Sequence, residues 1–433
     1  MTKRLLPRET SLRHGEAHPH DNRVWWLRGA TGLVMAYVVA SQALLDVAGW
    51  SLLAFAFAVL LAGLLALGRL LHTWRPRVGW WVWLPSAFIC YSLLRCFSGV
   101  KDTHPFDVLS SVISAFLGGI AVAVALRAGV RFRWLVYAQV ASNLLQIIIV
   151  CFGLGPEPAL GEAEDAFRYS GMVGNANVLA LQLTFGACMI WLLPKKAGWF
   201  PCLIAVGSVA FAVAVTGSRK AVLVAFLFLV LVCLQAVQFL PQNRRRLWVS
   251  LAIGVPCLLG LFLAPALYQY GQEVVAVRRS LEYQDSSYQT RAEMVEQGLG
   301  LWEQAPLFGN GLDSFRALSG QGTYSHNNYV ELLCCLGMVG TLLFYAIHAG
   351  VLIRAVRAAR LLKYYCWIFV LTLLLADIGY VSYKNKQTIM ILMLLTALTT
   401  SRYALKHRHR VAHRRGGALR SFKPRPRRFV LGA

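Results

Sequence analysis

The sequence predicts an all-α, polytopic integral membrane protein of about 12 transmembrane helices with one large extramembrane loop, and three observations carry that prediction. Of 433 residues, 57% are hydrophobic and only 14% charged, with a mean hydropathy of +0.55, a balance unlike that of a soluble enzyme. Apolar stretches of about 20 residues, enough to cross a bilayer at about 1.5 Å rise per residue, recur along the chain with short polar breaks. The Lys and Arg residues, 43 in all, fall overwhelmingly on one side of that pattern.

Read in order, residues 1–29 form a basic N-terminal tail, and apolar segments follow at 30–48, 50–71, 78–97, 107–126, 133–153, 175–193, 199–216, 220–240 and 247–265. These nine segments make residues 30–265 the first helical block. Residues 266–325 form the large loop, residues 326–401 hold three more segments at 327–353, 364–382 and 386–401, and residues 402–433 form a second basic tail. With the N-terminus placed in the cytoplasm, 32 of the 43 Lys and Arg residues lie on the cytoplasmic side, in accord with the positive-inside rule. An even number of spans returns the C-terminus to the same side, so the large loop faces outward.

Composition also excludes some functions. The net charge of +24 is concentrated in tails and inner loops, where a polybasic stretch after a membrane helix anchors to anionic lipid; no nucleic-acid partner is expected. His407, His409 and His413 in the basic tail have no Cys or carboxylate neighbours, so no metal site is expected there. The ten cysteines lie in apolar segments without a CxxC pair or a loop framework, as small packing residues do. The adjacent Cys334 and Cys335 lie within a helix, where they cannot readily bridge each other.

Within the large loop, Asp285 to Gln304 has helical character, with Met294, Leu301 and Trp302 as apolar points among charges, and Pro306 ends it. The run Leu307 to Leu312 reads as a turn back toward the tenth segment. Its GxG follows no strand, so it is not a dinucleotide loop.

Three polar residues stand out. Arg219, in Thr216-Gly217-Ser218-Arg219-Lys220, sits at the outer boundary between two apolar segments; it can snorkel to the interface, or its guanidinium can take a phosphate in a bidentate contact. His326 opens the tenth segment; an interfacial histidine is commonly structural, yet an imidazole with an ordinary pKa of about 6.5 can accept a proton from a hydroxyl at neutral pH. Arg291 lies on the loop helix, where alone it reads as a solvated charge. Together they give two permanent cations and one titratable base on one side, suited to an anionic leaving group.

The run His326-Asn327, nine residues, then Gly337-Met338-Val339-Gly340-Thr341 resembles the His-Asn/Ser/Gln-x9-Gly-x-x-Gly-Thr signature of O-antigen ligases. Thr216-Gly217-Ser218-Arg219 is similar to that family's TGSR segment, and Gly174-Asn175-Ala176-Asn177 to its Gly-Asn-x-Asn segment. Thr290-Arg291 followed by Pro306-Leu307-Phe308-Gly309-Asn310-Gly311 is similar to its large outer loop. The likeness covers residues 170–345; the first five segments share only hydrophobic layout, and Lys220 departs from the small residue commoner after TGSR.

The resemblance implies a metal-independent transferase of the bacterial inner membrane, with no cofactor. It would move a glycan from an undecaprenyl diphosphate-linked donor to lipid A-core or to a glycan acceptor, on the periplasmic face. Arg219 and Arg291 would hold the diphosphate, and His326 would be the base. Asn175, Asn177 and Asn327 are possible sugar contacts, although an Asn at a helix start caps it. Gly337 and Gly340, three apart on one helix face, read as packing residues against a neighbouring helix. Ligation to lipid A-core is the reading the spacing favours. Polymerisation within the same superfamily is the alternative, and a lipid-linked glycan flippase is an alternative of another class.

Overall fold

The computed structural model describes residues 19–43, 50–70, 80–98, 100, 103–154, 159–160, 167–168, 175–191, 199–216, 218–237, 286–358 and 360–400. These contain α1 (Pro19–Ala43), α2 (Trp50–Leu70), α3 (Trp80–Cys96), α4 (Pro105–Ala128) and α5 (Phe132–Cys151). A two-stranded antiparallel ribbon of β1 (Ala159–Leu160) and β2 (Phe167–Arg168) comes next, then α6 (Ala176–Trp191), α7 (Phe200–Thr216) and α8 (Arg219–Val237). The chain continues with α9 (Ser286–Gln304), α10 (Ser314–Leu318), α11 (Asn328–Ala355), α12 (Arg360–Ala376) and α13 (Lys386–Thr400).

Eleven of the twelve expected segments are occupied by helices, and the ninth, 247–265, lies outside the described residues. By length and composition, five of the described helices are long and apolar enough to cross a membrane. Two boundaries differ from expectation. Helix α1 begins at Pro19, well before residue 30, because proline is tolerated in a first helical turn. Helix α12 stops at Ala376 rather than running to residue 382, because the Asp377 carbonyl and carboxylate are engaged by the start of α11.

The packing that positions the site is a four-helix group in which α3 contacts α4 and α11, while α13 contacts α4 and α11 in turn. Phe88 of α3 lies at its centre, with ring centroids 5.5 Å from both Phe116 of α4 and Phe344 of α11. Tilted rings at this spacing combine large area burial with favourable quadrupole contacts.

Two buried amide networks tie the other helices to this group. Gln146 of α5 donates to the Gln42 carbonyl of α1 (2.6 Å) and to Gln182 of α6 (2.8 Å), while Gln387 of α13 donates to the Gln42 side chain (3.1 Å) and the Gln182 carbonyl (2.9 Å). Asn143 of α5 donates to Ser208 of α7 (2.9 Å) and the Leu183 carbonyl of α6 (3.1 Å), and accepts from Gln139 (2.8 Å). In an apolar interior such pairs fix which helix faces meet, because any other packing leaves buried amides unsatisfied.

Gly186 of α6 is the gap into which the second network fits, since a β-carbon there would collide with the Asn143 and Gln139 amides. Gly186→Ala is expected to lower stability by about 1–3 kcal/mol through overpacking. Thermal unfolding of the purified protein checks this, and an unchanged midpoint would show that the network yields without cost.

Candidate functional site

The site is organised by a break in α11. Gly337 takes φ +65° and ψ −169° inside the helix, a conformation essentially reserved for glycine. A helix interrupted there leaves carbonyls without partners on one side of the break and amides on the other. The segment Pro306–Gly311 supplies those partners from outside. Asn310 and Gly311 donate their N–H groups to the Cys334 and Cys335 carbonyls (2.8 and 3.0 Å), and the Pro306 and Leu307 carbonyls accept from Met338 and Val339 (2.9 and 3.1 Å). Gly309, itself at φ +73°, lies against Gly337 so closely that a β-carbon on either would strike the other's backbone.

Two residues of α3 lock this joint. The Tyr91 hydroxyl donates to the Leu336 carbonyl at 2.8 Å and lies 3.2 Å from the Phe308 carbonyl. Arg95 donates from Nη2 to the Gly309 carbonyl at 2.6 Å, and its own carbonyl accepts from Leu312 at 3.3 Å. The expectation that Gly337 and Gly340 pack together on one helix face is therefore corrected. Gly337 is not helical and meets the 306–311 loop, whereas Gly340 approaches the Tyr91 ring of α3. The expected turn at Leu307–Leu312 exists, but it is threaded into the helix rather than merely leading toward it.

The joint also sets a register between α9 and α11. Gly298 of α9 packs on Val330, and Pro306 just beyond α9 bonds to Met338, so α9 and the first half of α11 run side by side in the same direction. Arg291 lies seven residues before Gly298, hence on the same face of α9 and about 10 Å back along it. That places Arg291 at the level of the turn that carries His326, and it is half-buried there.

His326 is the apex of that turn, at φ +55°. Ser325, fully buried beside it, donates its N–H to Glu331 Oε2 (2.8 Å) and its hydroxyl to the Asn327 carbonyl (2.9 Å). Asn327 caps α11, its side-chain oxygen accepting from the Tyr329 and Val330 amides at 3.0 and 3.2 Å. The two flanking residues are thus held by hydrogen bonds, and a left-handed residue between them is imposed by its surroundings, as backbone strain at functional sites usually is. The imidazole lies against Tyr324, with ring centroids 4.3 Å apart, and the Lys384 ammonium stands 4.9 Å from the Tyr324 ring centre.

Glu331 and Asp377 are the residues that sequence reasoning did not single out for this site. Glu331, 2% exposed, lies beneath the His326 turn and within electrostatic reach of Lys384 and Asp313. Its one legible signal is an acid in the first turn of an apolar helix. Asp377, fully buried, accepts from the Asn328 amide (3.2 Å) and the Tyr345 hydroxyl (2.9 Å), and its carbonyl accepts the Asn328 N–H at 2.8 Å. The Asn328 oxygen in turn accepts from the Ser382 and Tyr383 amides at 2.9 and 3.2 Å. One buried asparagine therefore pins the loop after α12 to the start of α11. Burial, reinforced by nearby Glu331, pushes the Tyr383 phenol in this loop well above its ordinary range, so it stays protonated.

The remaining motif segments form a second group. Asn175 caps α6, accepting from the Asn177 and Val178 amides at 2.9 and 3.3 Å. Asn177 accepts from the buried Ser218 hydroxyl at 2.9 Å, which joins the start of α6 to the α7–α8 turn. Arg219 is the first residue of α8, while Gly217 and the side chain of Arg219 lie outside the described residues. Helix α12 packs on both α8 and α11 and so connects the two groups. Among the described residues, no group of three or more His, Cys, Asp and Glu is placed to hold a metal ion.

Gly337→Ala would force an alanine into a glycine-only conformation and onto the Leu307 carbonyl, and is expected to cost about 3 kcal/mol or more. Limited proteolysis should then cut near residue 308, which the intact joint protects; a Gly337→Ala protein as resistant as wild type would refute the joint. Asn328→Ala removes an amide that serves four partners and is expected to cost about 2–4 kcal/mol, read from thermal unfolding.

No curated protein matches the chain. Residues 203–345 match the family model described as O-antigen ligase, a stretch that runs from α7 through the break in α11 and takes in Arg219, Arg291, the 306–311 segment and His326. The chain is accordingly a helical membrane protein that carries an O-antigen ligase-family domain in residues 203–345.

Proposed function

We propose that the protein is a membrane glycosyltransferase that moves a glycan from undecaprenyl diphosphate to an acceptor hydroxyl on the periplasmic face of the inner membrane, with ligation of O-antigen to lipid A-core as its reaction. One observation supports this reading above others: a histidine held at the apex of a hydrogen-bonded turn, with a half-buried arginine brought to its level by the parallel register of α9 and α11.

In this mechanism the acceptor oxygen attacks the anomeric carbon of the donor glycan as the bond from that carbon to the diphosphate oxygen breaks. The bonding electron pair leaves with the diphosphate, whose growing charge Arg291 and Arg219 stabilise. His326 takes the acceptor hydroxyl proton as general base. The products are the glycosylated acceptor and undecaprenyl diphosphate. Arginine suits both anion positions because it stays charged at any working pH and presents a planar fork of donors.

Transfer assays with purified protein test the proposal. Undecaprenyl diphosphate-linked glycan is offered with lipid A-core, or with a second donor molecule, as acceptor. His326→Ala is expected to reduce transfer about 10²–10⁴-fold, and Arg291→Ala about 10²–10³-fold, with both proteins still folded. Transfer to lipid A-core establishes a ligase, chain growth on the second donor makes it a polymerase, and no transfer to either with wild type sinks the proposal. The orientation is tested separately in a cysteine-free background. A membrane-impermeant thiol reagent should label Gly320→Cys in intact cells and leave Arg357→Cys unlabelled.

A further inference from the structure

The end of the four-helix group opposite the joint gathers a different chemistry. Trp81 begins α3, Arg127 lies in the last turn of α4, Arg354 in the last turn of α11, and Thr400 is the last residue of α13. These four termini meet. The Arg127 guanidinium stands over the Trp81 ring, 5.2 Å from its centre, and donates to the Thr400 carbonyl at 3.0 Å. Arg354 is within electrostatic reach of both Arg127 and Arg357, and each opposes its charge. Arg357 is tied back to this point by a turn, its N–H bonded to the Arg354 carbonyl at 3.0 Å.

Each arginine alone has a plain explanation, since a basic residue at a helix C-terminus complements the helix dipole and its last carbonyls. Their convergence does not. Arg127 needs one of its five donors for Thr400, and the positive-inside rule asks for charge on a side, not for three guanidinium groups around one point. Arg127 and Arg354 are also half-buried, where like charges repel more strongly than in open water. The Trp81 indole N–H, on a residue 2% exposed, has no acceptor among the described residues, whereas buried donors are ordinarily paired. A group with several anionic oxygens would satisfy the cations and the indole together.

We propose that Trp81, Arg127, Arg354 and Arg357 form a binding site for a phosphate group, the headgroup phosphate of an anionic membrane lipid or a free phosphate. The site lies at the far end of α11 from His326, and a basic pocket between helix ends is a known form of lipid headgroup recognition. It is independent of the transfer reaction.

The test uses the full-length protein in detergent micelles, following its unfolding midpoint as phosphatidylglycerol, phosphatidylcholine or inorganic phosphate is titrated in. Phosphatidylglycerol should give a saturable rise that phosphatidylcholine does not. Arg354→Gln/Arg357→Gln should weaken the apparent affinity about tenfold or more, whereas Arg131→Gln/Arg133→Gln, which removes the same charge beside the cluster, should leave it unchanged. Trp81→Phe keeps every arginine and removes only the indole N–H, so it serves if the double variant does not fold, and it should also weaken the rise. An equal rise with inorganic phosphate supports the site and makes soluble phosphate its occupant. No rise with either anion, or an equal loss in both double variants, overturns the proposal.

Discussion

The arrangement of the candidate site depends on one exchange of backbone hydrogen bonds, that between the break in α11 and the segment Pro306–Gly311. In an apolar surrounding, an interrupted helix is tolerated only where its freed amides and carbonyls find other partners. Here a loop from earlier in the chain makes the bonds that helical residues would have made. Because α9 leads directly into that loop, the direction of α9 relative to α11 follows, and with it the height of Arg291 beside His326. Tyr91 and Arg95 close the joint from α3, outside residues 203–345. The N-terminal helices are thereby coupled to the family domain by more than apolar packing.

Around this joint, loop elements are held by single buried polar residues. Asn328 fastens the loop after α12, and Asp313, another non-glycine residue with positive φ, accepts the His104 amide at the start of α4 at 3.0 Å. Such residues are costly to bury without partners and specific once partnered. The result is a site whose turn is over-determined from several helices, as the left-handed His326 requires.

Much of the helix layout was legible in the sequence because hydropathy and bilayer length are local properties. The loop helix from Asp285 and its stop at Pro306 were legible for the same reason. The break at Gly337 was not. A glycine in an apolar run reads as a packing residue, and nothing local reveals that its partner is a loop about 30 residues earlier. The roles of Asn327 and Asn175 at helix starts could be read as caps, and the described hydrogen bonds are those of caps. Asp377 lay inside an expected apolar segment and passed as an interfacial charge, since the helix end that exposes its carbonyl to Asn328 is created by tertiary contact. Glu331 stayed hidden for a similar reason, its partner being the amide of Ser325 in the preceding turn.

The joint also bears on what kind of information the motif carries. Its contacts are made almost wholly by main-chain atoms, which every residue other than proline supplies alike. Between Asn327 and Gly337 the identity of a residue therefore matters less to the joint than its presence. Adding or removing one residue would turn His326 about 100° around the axis of α11 relative to the fixed break. The nine unspecified positions of the motif act as a ruler: they encode a distance and an angle, and the chemistry is written only at the ends.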